Sequence, residues 1–90
     1  GKHGIINTAS SIDHDCVLGD FIHIAPNATL CGEVVIGDET FIGAGAVVLP
    51  QIKIGKRVTV GAGSVVTKNI PDGATVVGNP GKIITSHGAI

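Results

Sequence analysis

His14 stands beside Asp15, and a second histidine, His23, follows nine residues on. Imidazole titrates near neutral pH, so an outward-facing His14 could take the proton of an attacking nucleophile. An adjacent carboxylate could hold the ring in one orientation. The plainer alternative is a solvated histidine beside a solvated aspartate, and the two residues alone leave these readings evenly placed. A second feature lies further on. Ala44 and Ala62 each sit in a Gly-Ala-Gly triplet, 18 residues apart. Small side chains leave backbone groups uncovered, and a column of them makes a smooth groove for an arm rich in amides. The triplets could equally be tight corners, and both statements can hold at once. Gly43-Ala44-Gly45 is not a dinucleotide fingerprint, because no strand-to-helix context surrounds it.

The elements that must position these residues are written in a six-residue period. Ile6, Ile12, Leu18, Ile24, Leu30, Ile36, Ile42, Val48, Ile54, Val60 and Val66 open eleven successive hexads. The second residue is Gly at positions 19, 37, 43, 55 and 61. The fifth is small or aliphatic throughout. Period six is neither the 3.6 of a helix nor the 2 of a plain strand. It fits a short strand followed by a corner, with the branched residue inside and the Gly or small residue letting the chain turn. Three sides close a coil of 18 residues, and coils stack at roughly 4.8 Å through parallel strand pairing. Residues 42–47 and 60–65 lie one coil apart and nearly match. The expected architecture is all-β, a parallel β-helix of hexapeptide repeats with under four triangular coils. His14 then falls at a corner. Pro26, Ala44 and Ala62 stack in one column on a different edge.

Ninety residues make one domain, 1–90, with regular hexads over 6–71 and a loop and tail over 72–90. Within the latter, residues 67–73 read as an exit turn and Ala74–Val77 as a short strand. Residues 78–82 read as a loop, with Ile83 and Ile84 packing back on the prism. So few coils bury a thin core with open ends, which suggests an oligomer or a piece of a longer protein. The net charge of −1 excludes a basic nucleic-acid surface. The apolar runs are too short for a membrane helix. Cys16 and Cys31 are 15 residues apart, off the stacking lag, so no disulfide is expected, and a reducing, cytoplasmic setting is the simplest reading.

Hexads followed by Ile70-Pro71-Asp72 and by Val77-Gly78-Asn79-Pro80-Gly81-Lys82 resemble the bacterial hexapeptide acyltransferases. The stretch from Asn7 through His14-Asp15-Cys16 to His23-Ile24-Ala25-Pro26 is similar to the sugar acetyltransferases of the sialic-acid and bacillosamine pathways. The resemblance covers about residues 5–84, with Gly81 standing where those proteins usually carry Ala. It implies a left-handed coil and acetyl transfer from acetyl-coenzyme A to an amino or hydroxyl group of a nucleotide-linked sugar. It implies that His14 is the general base tuned by Asp15, and that His23, Ala44 and Ala62 contact the co-substrate. Transfer would be direct, since no Ser or Cys sits with the histidines as a nucleophile. The family's N-terminal sugar-nucleotide-binding domain is absent from residues 1–90 and is expected upstream. Because His14 and the alanine column occupy different edges, a homotrimer is expected, each active cleft formed between neighbours. No metal, membrane or nucleic-acid partner is expected. Two rivals stand beside this reading. One is a zinc protein of the γ-carbonic-anhydrase kind, although His3, His14, His23 and His87 include no pair five or 18 residues apart. The other is a non-catalytic β-helix assembly module.

Overall fold

The computed structural model describes residues 4–6 and 10–86, and it is a left-handed parallel β-helix. His3, His87 and the Asn7 part of the motif lie outside the described residues. Eleven two-residue strands follow the hexads: β1 (Ile5–Ile6), β2 (Ser11–Ile12), β3 (Val17–Leu18), β4 (His23–Ile24), β5 (Thr29–Leu30), β6 (Val35–Ile36), β7 (Phe41–Ile42), β8 (Val47–Val48), β9 (Lys53–Ile54), β10 (Thr59–Val60) and β11 (Val65–Val66). Each consists of the sixth residue of one hexad and the first of the next. The sixth faces out and the first faces in, so from β4 onward the first residue is buried and the sixth is not. The alternation is the ordinary period of a strand, cut to two residues by the corners.

Successive strands go to successive faces. Face A is β1-β4-β7-β10-β12-β13, face B is β2-β5-β8-β11 and face C is β3-β6-β9, where β12 is Ala74–Val77 and β13 is Lys82–Ser86. Pairing runs at the 18-residue lag expected: Ile24 lies on Ile42, Ile42 on Val60, Leu30 on Val48 and Ile36 on Ile54. These stacked β-branched and leucine side chains form the core, with Ala28, Val34, Ala46 and Val58 from the fifth positions. At the N-terminal end the inward column opens to solvent, and Ile6 is 54% exposed.

The corners work differently from the expectation. The second-position glycines do not serve the turn. Gly37 and Gly43 press on the coil above, where an added Cβ would meet Gly55 C at 2.6 Å and Ala62 N at 2.7 Å. The turn is made by the fourth residue, which adopts positive φ whatever its type: Asp15, Phe21, Asn27, Glu33, Glu39, Gln51 and Arg57 all do so, at 53–65°. Tight stacking thus sets the glycine pattern, and the left-handed turn is paid for at ordinary residues.

The period does not end at Val66. It slips by two residues and resumes. Ile70 stacks on Ile54 and Val76 on Val60, a lag of 16. Ile70 is therefore an inward first-position residue, and its side and that of Val76 bring the coils to about four. Within the segment after residue 72, Ala74–Val77 is a strand as expected, and Lys82–Ser86, where a loop end and packing isoleucines were expected, is a second strand that forms an antiparallel hairpin with it. Ile83 and Ile84 belong to that strand pair and stay 46% and 61% exposed, so they do not pack back on the prism. The residues linking the hairpin complete the last rung: Val65 N–H donates to Gly78 O at 2.9 Å and Gly81 N–H to Val65 O at 2.7 Å. Those bonds cover the edge of β11, as a solenoid terminus requires.

Candidate functional site

The three edges of the prism share one backbone and differ in their third-position residues. Between faces C and A stand Asp20, Asp38, Lys56 and, after the slip, Asp72. Here carboxylates satisfy the outward amides of the coil below: Asp20 N–H donates to Asp38 Oδ1 at 2.7 Å and Lys56 N–H to Asp72 Oδ1 at 2.8 Å. This edge is a structural ladder.

Between faces A and B stand Pro26, Ala44 and Ala62, all exposed. They stack as the 18-residue lag requires, with Gly45 N–H donating to Pro26 O at 3.0 Å and Gly63 N–H to Ala44 O at 2.8 Å. No carboxylate closes the amides of Ala44 and Ala62, and among the described residues neither donates to a protein acceptor. Gly45 and Gly63 follow at φ of 70° and 71°. Seven non-glycine residues of six types hold a similar φ elsewhere in the chain, so conformation alone does not demand glycine. What is particular here is space: nothing lies within 4 Å of a Cβ built on either. The edge is a flat strip with two free N–H donors.

Between faces B and C lies His14, with its side chain 85% exposed. Its Nδ1 is 3.2 Å from Asp15 Oδ2. A proton on Nδ1 shared with Asp15 leaves Nε2 as the basic nitrogen, the arrangement general-base work needs. Asp13, which the sequence reading passed over, flanks the other side of the ring: its Oδ1 is 3.9 Å from His14 Nε2 and accepts the His14 backbone N–H at 2.8 Å. Its adjacency to His14 was the available signal.

His23 lies on face A, opposite the edge that carries His14. It is half-buried, and its ring centroid is 5.0 Å from that of Phe41, one coil on. The 18-residue lag pointed to that partner. The structure therefore places His23 on face A, between the ladder edge and the alanine edge, with His14 on the edge opposite that face. The described residues enclose no cavity, and no three His, Cys, Asp or Glu among them converge on a metal position. Cys16 and Cys31 are free thiols, and Cys16 Sγ–H donates to Cys31 O at 3.1 Å.

Residues 33–68 match the family described as bacterial transferase hexapeptide (six repeats). Solved structures agree. The acetyltransferase domain of PglB from Neisseria gonorrhoeae FA1090 is similar at 51% identity and a TM-score of 0.89, over 90% of this chain and 40% of that one. It has also been solved in complex with acetyl coenzyme A. PerB from Caulobacter crescentus, in complex with CoA and GDP-perosamine, is similar at 44% identity and a TM-score of 0.90, over 91% of this chain and 40% of that one. WeeI from Acinetobacter baumannii AYE is similar at 46% identity and a TM-score of 0.80, over 83% of this chain and 38% of that one. The chain thus spans about 40% of the length of the first two relatives. No curated protein sequence matches it significantly.

Proposed function

We propose that the chain is the acetyl-transfer module of a sugar acetyltransferase, moving acetyl from acetyl-coenzyme A to a nucleotide-linked sugar. The observation that carries this reading is the alanine edge. A pantetheine arm carries amide carbonyls that need donors, and the Ala44 and Ala62 amides are unspent donors on a strip without side-chain obstruction. The relatives' complexes with acetyl coenzyme A and CoA support the same assignment.

His14 is the base in this reading. Its Nε2 takes the acceptor's proton as the nucleophile attacks the thioester carbonyl, while Asp15 holds Nδ1–H. The C–S bond breaks, and the thiolate is protonated to give coenzyme A. Transfer is direct, with no acyl-enzyme. His23 contributes a ring N–H to the arm or to the thioester carbonyl. Because the His14 edge faces away from His23 and the alanine strip, the reacting groups come from two subunits of a homotrimer. In this reading the setting is reducing and cytoplasmic.

The test is thiol release from acetyl-coenzyme A with GDP-perosamine as acceptor. Acceptor-dependent release that is lost in His14→Ala, with acetyl-coenzyme A binding retained, is the expected result. Acetyl-coenzyme A binding without any acceptor-dependent thiol release would count against transferase activity.

A further inference from the structure

The outward columns of the three faces differ in content. Face B presents Ser11, Thr29, Val47 and Val65, and face C presents Val17, Val35 and Lys53. Neither column carries an aromatic ring. Face A presents Ile5, His23, Phe41, Thr59 and Thr75, each paired with the next. The imidazole of His23 and one of the chain's two phenylalanines thus stand in contact in a single column. The backbone beneath them is fixed. His23 N–H donates to Thr40 O at 3.1 Å and Ala25 N–H to Ile42 O at 2.9 Å, so His23 is tied to the coil above on both sides of Phe41. Phe41 is tied in turn to the next coil, its N–H donating to Val58 O at 2.9 Å. What the backbone leaves open is the χ2 torsion of the imidazole, whose wells are broad. The Phe41 ring bears on that torsion. Its centroid lies 5.0 Å from that of the imidazole with the planes tilted by 52°, an arrangement that aromatic pairs favour. Phe41 points away from the core and is 39% exposed, so the pair does not serve the packing of the inward column.

We propose that Phe41 is a positioning residue: it holds the His23 imidazole in the orientation that turns a ring N–H toward the co-substrate. The inference rests on the acetyl-transfer reading above, in which His23 donates to the pantetheine arm or to the thioester carbonyl. A hydrogen bond weakens steeply as its donor turns out of line, so an imidazole free to rotate donates for only part of the time. A flat ring one coil on removes that freedom by packing against the imidazole. An aliphatic side chain of similar bulk presents no plane and does not. Phe41 acts through His23 and needs no contact of its own with the co-substrate.

The test is a double-mutant cycle on acetyl-coenzyme A affinity, measured by calorimetry, with the orientation of His23 followed by NMR. His23→Ala should weaken acetyl-coenzyme A by about tenfold, the loss of one aligned donor. Phe41→Leu keeps apolar bulk on face A and removes the ring, and it should weaken binding by up to the same factor. In the double variant the two losses should not add, because the second residue acts only through the first. Phe41→Tyr, which returns a ring, should restore the affinity. Three-bond couplings from the His23 Hβ protons to its ring should report one orientation in the wild type and in Phe41→Tyr, and an average of several in Phe41→Leu. Losses that add would mean that Phe41 touches the co-substrate itself, and full affinity in Phe41→Leu would mean that bulk suffices. Either result overturns the proposal. If the wild type binds no acetyl-coenzyme A, the transfer reading fails, and the couplings alone decide whether Phe41 orients His23.

Discussion

The ladder edge and the alanine edge are built on one hexad geometry, with a positive-φ fourth residue at Glu39 and at Gly45 alike. On the first, Asp38 and Asp72 reach down and take the outward amides of Asp20 and Lys56. On the second, Ala44 and Ala62 leave theirs bare, and Gly45 and Gly63 clear the surface beside them. The backbone is indifferent to the choice. A carboxylate on the next coil closes the corner below it, as at Asp20 and Lys56, and its absence at Ala44 and Ala62 leaves the same corner as a strip of donors. The His14 edge is a third solution, where Asp13 satisfies the amide from its own coil and the position above is left as Gly32.

The largest expected effect falls on the His14 edge. His14→Ala should lower kcat by about 10²–10⁴-fold while barely changing the KM for acetyl-coenzyme A, as steady-state kinetics would register. Retained turnover would reduce His14 to a solvated surface residue. Next, Gly37→Val forces a branched side chain into the backbone of Gly55 and should cost about 3 kcal/mol or more in chemical denaturation. An unperturbed midpoint would show that the coils have slack. Ala62→Trp should then block acetyl-coenzyme A binding in calorimetry without lowering the melting temperature, because position 62 is exposed. Equal affinity in the variant would move the groove to another edge. The smallest effect belongs to the ladder. Asp38→Ala should cost about 1 kcal/mol of stability by leaving the Asp20 amide without its acceptor, and should not touch acetyl-coenzyme A affinity. If Asp38→Ala weakened the co-substrate and Ala62→Trp did not, the assignment of the two edges would be reversed.

The inward column was readable because burial enforces residue type at every first position, and the pairing lag followed from the period alone. The alanine column followed from the same arithmetic. The corners were misread at the level of cause. Second-position glycine suggests a turn, yet turning falls to the fourth residue, whose identity varies from Asp15 to Arg57 and so leaves no compositional trace. The slip between Val66 and Ile70 was hidden because Ile70 also satisfies the small-or-aliphatic rule for a fifth position. Only pairing with Ile54 reveals it as a first. The β12–β13 hairpin was half legible, since Ala74–Val77 reads as a strand and its partner depends on antiparallel contacts that have no period. Asp13 was passed over although it adjoins His14, because its bond to the His14 amide depends on a side-chain conformation that no period records.

The central claim is that one chain's His14 serves the alanine strip of its neighbour. Mixing variants tests it directly. His14→Ala and Ala62→Trp chains are each expected to be inactive alone. Unfolded together in equal amounts and refolded, they should form mixed trimers in which about one quarter of the clefts pair an intact His14 with an intact Ala62 from the next chain. Thiol release should then recover to about that fraction of the wild-type rate. A mixture as inactive as its two components would place both residues in a cleft within a single chain, and would contradict the account.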